Sequence, residues 1–257
     1  MARFALKLEY DGSGFVGWQR QDNGPSVQHH LEMAAAKLNG GVEPAIAGAG
    51  RTDAGVHATG QVALVVLDDR FSARTVRDAL NFHLQPQPIV VLEAAIVRDA
   101  DWHPRFSAIA RHYRYVILNR AVRPALDGQR VWHVKTKLDA DLMHQAAQSL
   151  LGKHDFTSFR ASACQAASPL RTLDRFALRR EGDRVIAEVS ARSFLHHQVR
   201  NMIGTIRLIG DYSRPKDSLA EILAARDRKA AGPTAPASGL ALIGVDFLAD
   251  PFGAQED

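Results

Sequence analysis

Two successive stretches of this chain carry the same order of local signals, β-α-β-β-α-β, and few folds accommodate that order twice. In the first, Phe4, Leu6, Leu8 and Tyr10 alternate with Lys7 and Glu9, the period of a half-buried strand. Asp11-Gly12-Ser13-Gly14 breaks that period. Ser26 caps a predicted helix whose apolar face is Val27, Leu31, Ala34, Ala35 and Leu38, and Gly40-Gly41 stops it. Strands are expected over 42–49 and 61–67, a Ser72-capped helix over 73–84 ending near Pro86, and a strand over 88–97. The second stretch predicts a strand over 110–118, a helix over 140–151 stopped by Gly152, and a hairpin of 170–179 and 184–191 across Glu181-Gly182-Asp183. A long helix over 194–209, a shorter one over 219–225 and a strand over 240–247 complete it.

The expectation is an α+β fold of two ferredoxin-like (RRM-like) halves, residues 1–107 and 108–250, followed by a frayed tail at 251–257. Each half offers an open antiparallel sheet with helices on one face. No residue-level repeat relates the halves. Lys229 to Ser238, with two prolines and four alanines, reads as a flexible connector.

Charge is distributed unevenly between these halves. Residues 1–107 have a balance of −2 and the remainder +6, within a net charge of +4. A polyanionic partner held mainly by the second half fits that asymmetry. Between Asp101 and Asp127 there is no acidic residue, yet Arg105, Arg111, Arg114, Arg120 and Arg123 lie there. Trp102, His103, Phe106, His112, Tyr113 and Tyr115 are interleaved with them. Arginine binds phosphate and aromatic rings stack on bases, so the interval points to RNA. On a strand, Arg111, Tyr113 and Tyr115 share one face while His112 and Arg114 share the other.

The composition, 46% hydrophobic and 23% charged, is that of a globular protein. No apolar run is long enough to span a bilayer, and no leader opens the sequence, so no membrane association is expected. Cys164, the single cysteine, allows no internal disulfide and no thiolate zinc site; it reads as a small buried hydrophobe in a reducing cytoplasm. His196 and His197 are adjacent in a predicted helix, where neighbours do not face one site, and no metal is expected. Gly17-Trp18-Gln19-Arg20-Gln21 is a second arginine-aromatic cluster, in which Trp18 is expected to serve packing.

The densest chemical signal is Gly48-Ala49-Gly50-Arg51-Thr52-Asp53-Ala54-Gly55-Val56-His57-Ala58. Glycines at this density permit a tight turn and a close ligand. Arg51 beside Asp53 favours the ionised carboxylate, and an ionised aspartate on such a loop is a competent nucleophile. A polar turn with a solvated ion pair fits the same local pattern. No Gly-Lys-Ser/Thr follows, so the segment is not a phosphate loop. Arg200, in the polar opening of the 194–209 helix, is the candidate cation for a buried carboxylate, with Asp53 as the chosen partner; a surface position is its alternative.

Taken together these pieces resemble the tRNA pseudouridine synthase A family. The matching residues are Leu8-Glu9-Tyr10-Asp11-Gly12, Gly17-Trp18-Gln19-Arg20-Gln21, Gly50 to Ala58 and Arg105-Phe106-Ser107-Ala108. Arg111-His112-Tyr113-Arg114-Tyr115, Asp155-Phe156-Thr157-Ser158-Phe159-Arg160 and Phe194 to Gly204 follow in the family's order. The resemblance implies the pseudouridine synthase fold, with two halves facing a central catalytic cleft. It implies isomerisation of uridine to pseudouridine in the tRNA anticodon stem-loop, at positions 38 to 40, by a cytoplasmic homodimer without cofactor. Asp53 matches the family's nucleophile, Arg51 the base-flipping arginine, and Arg200 the arginine that pairs with the aspartate. Tyr113 matches the tyrosine that packs on the target base; Arg105, Phe106, Arg111 and Arg114 are expected among the remaining substrate contacts. Departures are small: an acidic residue is missing before Ile89, and Phe247 stands where many relatives have tyrosine.

Readings from two other classes are kept beside this one. A non-catalytic pair of RRM-like units explains the sheets and arginines but not Asp53 with Arg51 and Arg200. A glycoside hydrolase also attacks a sugar C1′, but it ordinarily uses two paired carboxylates, and one is signalled here.

Overall fold

A computed structural model describes residues 1–253 as two compact units. The first comprises Met1–Ile109 together with the chain from Leu242 onward, and the second is Ala110–Ala241. The first contains β1 (Ala2–Tyr10), α1 (Val27–Ala36), β2 (Ala47–Gly48), β3 (His57–Leu67), α2 (Ala73–Leu84) and β4 (Ile89–Ile96). In the second are β5 (Ala108–Asn119, beginning two residues before the boundary), β6 (Trp132–Val134), α3 (Ala140–Ala147), β7 (Gly152–Asp155), β8 (Leu170–Glu181), β9 (Arg184–Ala191), α4 (Gln198–Gly210) and α5 (Ser218–Ala225). The last strand, β10 (Leu240–Phe247), starts in the second unit and runs into the first.

In the first unit β1 lies between β4 and β3, antiparallel to both, while β2 and β10 also pair with β3. Ser26 and Ser72 cap α1 and α2 as expected, accepting from the His29 and Thr75 amides. Phe4, Leu6 and Leu8 alternate into the core with no exposed area, as do Val27, Leu31, Val76 and Leu80 from the helices. On the other face Ala5, Val62 and Leu64 form a second cluster with Trp102, against which Phe247 and Phe252 pack. Edge strand β4 is blunted from α2: the Asn81 amide accepts from Val91 N (2.7 Å) and donates to Val91 O (2.9 Å), as a further strand would.

The second unit has the order β5-β9-β8-β7, antiparallel throughout, with β6 parallel to β5 at one end. The hairpin turn between β8 and β9 is Gly182-Asp183, where Gly182 takes φ +58. Tyr115, Phe156, Phe159 and Phe176 are its largest buried rings.

The expected elements are all present among the described residues; β6 was not foreseen, β3 begins at His57 rather than Gln61, most of β10 belongs to the first unit, and four further differences stand out. Residues 42–46 form no strand, so β2 is only two residues long. The helix expected over 140–151 ends at Ala147, and Gly152, at φ +89, opens the unforeseen strand β7. The helix expected from Phe194 starts at Gln198, because His197 sits in the left-handed region at φ 61 and the Gln198 side chain accepts from Leu195 N instead (2.8 Å).

The fourth difference is the connector, which is not a free linker. It lies as a strap along α4: Gly232 N donates to Thr205 Oγ1 (2.9 Å) and Ala235 N to Arg200 O (3.1 Å). A Cβ on Gly204, inside α4, would fall 1.8 Å from the Pro233 carbonyl oxygen. Glycine at that position is required by the close approach of the strap. Of the tail expected to fray, residues 254–257 lie outside the described residues.

Candidate active site and RNA-contact residues

The Asp53 loop is held by the segment that follows β1. Gly17 bridges Asp53, Trp18 N donates to Thr52 O (3.1 Å), and Gly55 N donates to Phe15 O (3.2 Å). Two close approaches explain glycines in that segment: a Cβ on Gly12 would meet Val56 O at 2.0 Å, and one on Gly17 would meet Thr52 O at 2.5 Å. Trp18 is buried against Gly48, filling the packing role expected of it. Gly55 takes φ +76 and makes the turn itself, whereas a Cβ on Gly50 would meet nothing within 4 Å.

Side chains beneath the loop complete the clamp. The Tyr10 hydroxyl is 2.8 Å from Thr52 Oγ1, and Gln61 Nε2 donates to Gly50 O (2.8 Å). Burial pushes the Tyr10 hydroxyl up to about 12, with the Thr52 and Gln61 hydrogen bonds pulling the other way. His57 Nδ1 accepts from Gly12 N (3.1 Å) and lies 3.3 Å from Asp11 Oδ1. Thr52 and Val56 are therefore buried anchors, while Asp53 between them is half-buried and Arg51 is exposed. A hydrogen-bonded backbone that presents an accessible carboxylate is the arrangement an enzymatic nucleophile needs.

In the second unit, Tyr113 on β5 is largely buried and meets Phe194 edge-to-face, centroids 5.2 Å apart at 89°. Arg111 and Tyr115 share its face, as the alternation predicted. Both serve structure: Arg111 is buried and its Nη1 donates to Arg192 O (2.5 Å), and the Tyr115 hydroxyl donates to Pro236 O (2.8 Å). Burial raises the Tyr115 hydroxyl well above the ordinary tyrosine range.

Arg114, on the opposite face, is exposed and pairs with Glu188 of β9 (3.1 Å). Arg175 and Arg179 converge on the same carboxylate (3.0 and 3.3 Å). Arg120 pairs with Asp183 (2.9 Å). The acid-free interval is therefore partly neutralised across the sheet, which linear spacing does not reveal.

Arg200 stands in the first turn of α4, half-buried, and the strap fixes it from two sides. Its Nε donates to Ala235 O (2.9 Å), and its carbonyl accepts from Ala235 N (3.1 Å). Thr234 Oγ1 donates to Asn201 Oδ1 (2.6 Å), and Arg228 reaches Asn201 Oδ1, Thr234 Oγ1 and Gly232 O. Asn201, fully buried, also donates to Phe159 O (2.9 Å). Asn201, Thr234 and Arg228 were not singled out from the sequence; a glycine inside a helix, Gly204, was their one available signal.

Arg105 and Phe106 lie in the first unit, on a turn from His103 to Ser107. Both are exposed, with the Arg105 guanidinium 5.7 Å from the Phe106 ring centre. Cys164, expected to be buried, is half-buried. His29, Glu32 and Glu43 bring three metal-type donors together in the first unit, but Arg20 already pairs with both carboxylates (3.0 and 2.5 Å). That group is an ion-pair network. No helix of the described residues is long and apolar enough to cross a membrane.

Comparison with known proteins adds an independent line. A family model described as tRNA pseudouridine synthase matches residues 7–107 and 146–247, so the whole of β5, with Tyr113, lies between the matched segments. The chain is 64% identical over 252 residues to tRNA pseudouridine synthase A of Acidiphilium cryptum, covering 98% of this chain and 99% of that one. It is 54% identical over 253 residues to the protein of the same name from Gluconobacter oxydans, covering 97% and 91%. Among solved structures, a chain of a Cbf5-Nop10-Gar1 complex matches at 12% identity and a TM-score of 0.33, over 80% of this chain and 54% of that one. A likeness that loose carries no argument.

Proposed function

The chain belongs to the tRNA pseudouridine synthase family, and from that premise we propose that it isomerises uridine in the tRNA anticodon stem-loop, at positions 38 to 40, with Asp53 as nucleophile. It is an isomerase acting on tRNA. The observation that carries the site assignment is the anchoring of the Asp53 loop: Thr52 and Val56 are buried while Asp53 retains access to solvent.

The reaction breaks the bond from ribose C1′ to N1 and forms one from C1′ to C5, with loss of the C5 proton and gain of one at N1. Oxidation state is unchanged, so the chemistry calls for no redox cofactor. Asp53 attacks uracil C6 or ribose C1′, and either route needs the base out of its stack. Arg51, exposed beside Asp53, fills the space the base leaves. Tyr113 packs on the extruded base and takes part in removing the C5 proton. Arg200 supplies the fixed positive charge that keeps the aspartate a nucleophile. Arg105, Phe106 and Arg114 hold the RNA, and Arg111 supports the strand that bears Tyr113. The protein works in the cytoplasm as a homodimer.

The test is incubation of the pure protein with unmodified tRNA transcripts, followed by mapping of pseudouridine along the RNA. Pseudouridine at 38 to 40 is expected. None at all sinks the proposal, and pseudouridine only elsewhere in the tRNA removes the anticodon assignment.

A further inference from the structure

An exposed phenylalanine by itself calls for no explanation. Phe106 differs in how it is held. It is 70% exposed, yet its ring lies 4.6 Å from that of His103 at an interplanar angle of 33°, with the Arg105 guanidinium 5.7 Å from its centre. The turn beneath is closed by its own bonds. Ser107 N and Phe106 N donate to His103 O (2.9 and 3.2 Å), and His103 N donates to Ser107 Oγ (3.0 Å). Arg105 N donates to His103 Nδ1 (3.1 Å), which fixes the imidazole plane and leaves its proton on Nε2. Buried Pro104 stiffens the turn from within.

We propose that His103, Phe106 and Arg105 form a preformed stacking platform for one unpaired RNA base other than the target uridine, with the Arg105 guanidinium beside that nucleotide's phosphate. The proposal rests on the reading of the chain as a tRNA-modifying enzyme. Three features favour a base over an apolar protein partner. Within the turn from His103 to Ser107, Phe106 is the one large hydrophobic left exposed. Its neighbour is a cation, the Arg105 guanidinium. The rings are ordered before binding, so stacking immobilises little more. His103 is held neutral, since burial first and then Arg3 and Arg105 lower its proton affinity, so the platform presents a flat uncharged ring pair at physiological pH.

Binding of unmodified tRNA to the full-length protein, measured across salt concentrations, tests the platform. Phe106→Ala is expected to weaken binding roughly 10-fold without changing the salt slope, because stacking releases no counterion. Phe106→Tyr and Phe106→Trp should restore it to within about twofold, and Phe106→Leu should not. Arg105→Gln should instead lower the slope by about one. Parental affinity in Phe106→Ala, or rescue by leucine equal to that by tyrosine, overturns the proposal. So does a shift of Phe106→Ala to a smaller species in sedimentation, which would make the ring a contact between copies. A parent protein that neither binds nor modifies tRNA overturns the RNA reading itself, and the platform with it.

Discussion

Replacing Gly204 by alanine separates a structural strap from a linker. At an exposed position inside a helix the change stabilises by about 1 kcal/mol, because alanine loses less backbone freedom on folding. Here the added Cβ lies 1.8 Å from Pro233 O and 2.9 Å from its carbonyl carbon. Carbon and oxygen need about 3.4 Å, so strap and helix must part by about 1.5 Å. Bonds of 2.9 Å at Gly232 N, 3.1 Å at Ala235 N and 2.6 Å at Thr234 Oγ1 do not survive that displacement. Losing two or three at about 1 kcal/mol each, set against the helix gain, leaves a net loss of about 1–2 kcal/mol. Thermal unfolding followed by circular dichroism should show a Tm several degrees lower. Turnover should fall further than stability, because Ala235 also holds Arg200. Gly14→Ala, where a Cβ meets nothing within 4 Å, is the control and should be near neutral. A Gly204→Ala protein as stable as that control would refute the strap as a structural element.

Two further perturbations follow from the site. Tyr10 carries its hydroxyl pushed up to about 12, so burial favours its neutral form; the stability this gives is complete below pH 10 and lost as pH rises through 12. Unfolding free energies between pH 9 and 12 should fall by about 2 kcal/mol in the parent and much less in Tyr10→Phe, and equal slopes would remove Tyr10 as the titrating group. Arg200→Met should reduce turnover on the order of 100-fold with tRNA affinity retained, and Arg200→Lys should recover part of it, since charge returns without the planar donor. A methionine variant at the parental rate would take Arg200 out of the mechanism.

What the sequence revealed depended on the range of the interactions involved. Strand alternation and helix caps are local, so Ser26 and Ser72 placed α1 and α2 to the residue. The Asp53 loop was legible because its glycines and its aspartate are contiguous. The strap was not: its prolines and alanines resemble a linker, and its partners Asn201 and Thr205 lie about 30 residues earlier. The arginine interval was legible only in part, for the same reason. Its missing acids are supplied across the sheet by Glu188 and Asp183, a pairing only strand register sets. His197 illustrates a third limit, since nothing local marks a histidine for the left-handed region that delays α4 until Gln198.

The proposed role of the Asp53 carboxylate is chemical, on a loop held by Thr52, Tyr10 and Gly17. Asp53→Asn keeps the side chain's shape and removes its charge, leaving Thr52, Tyr10 and Gly17 in place. Measured with unmodified tRNA under single-turnover conditions, this variant should bind like the parent and yield no pseudouridine. Pseudouridine formation by Asp53→Asn at a rate near the parent's would contradict the account.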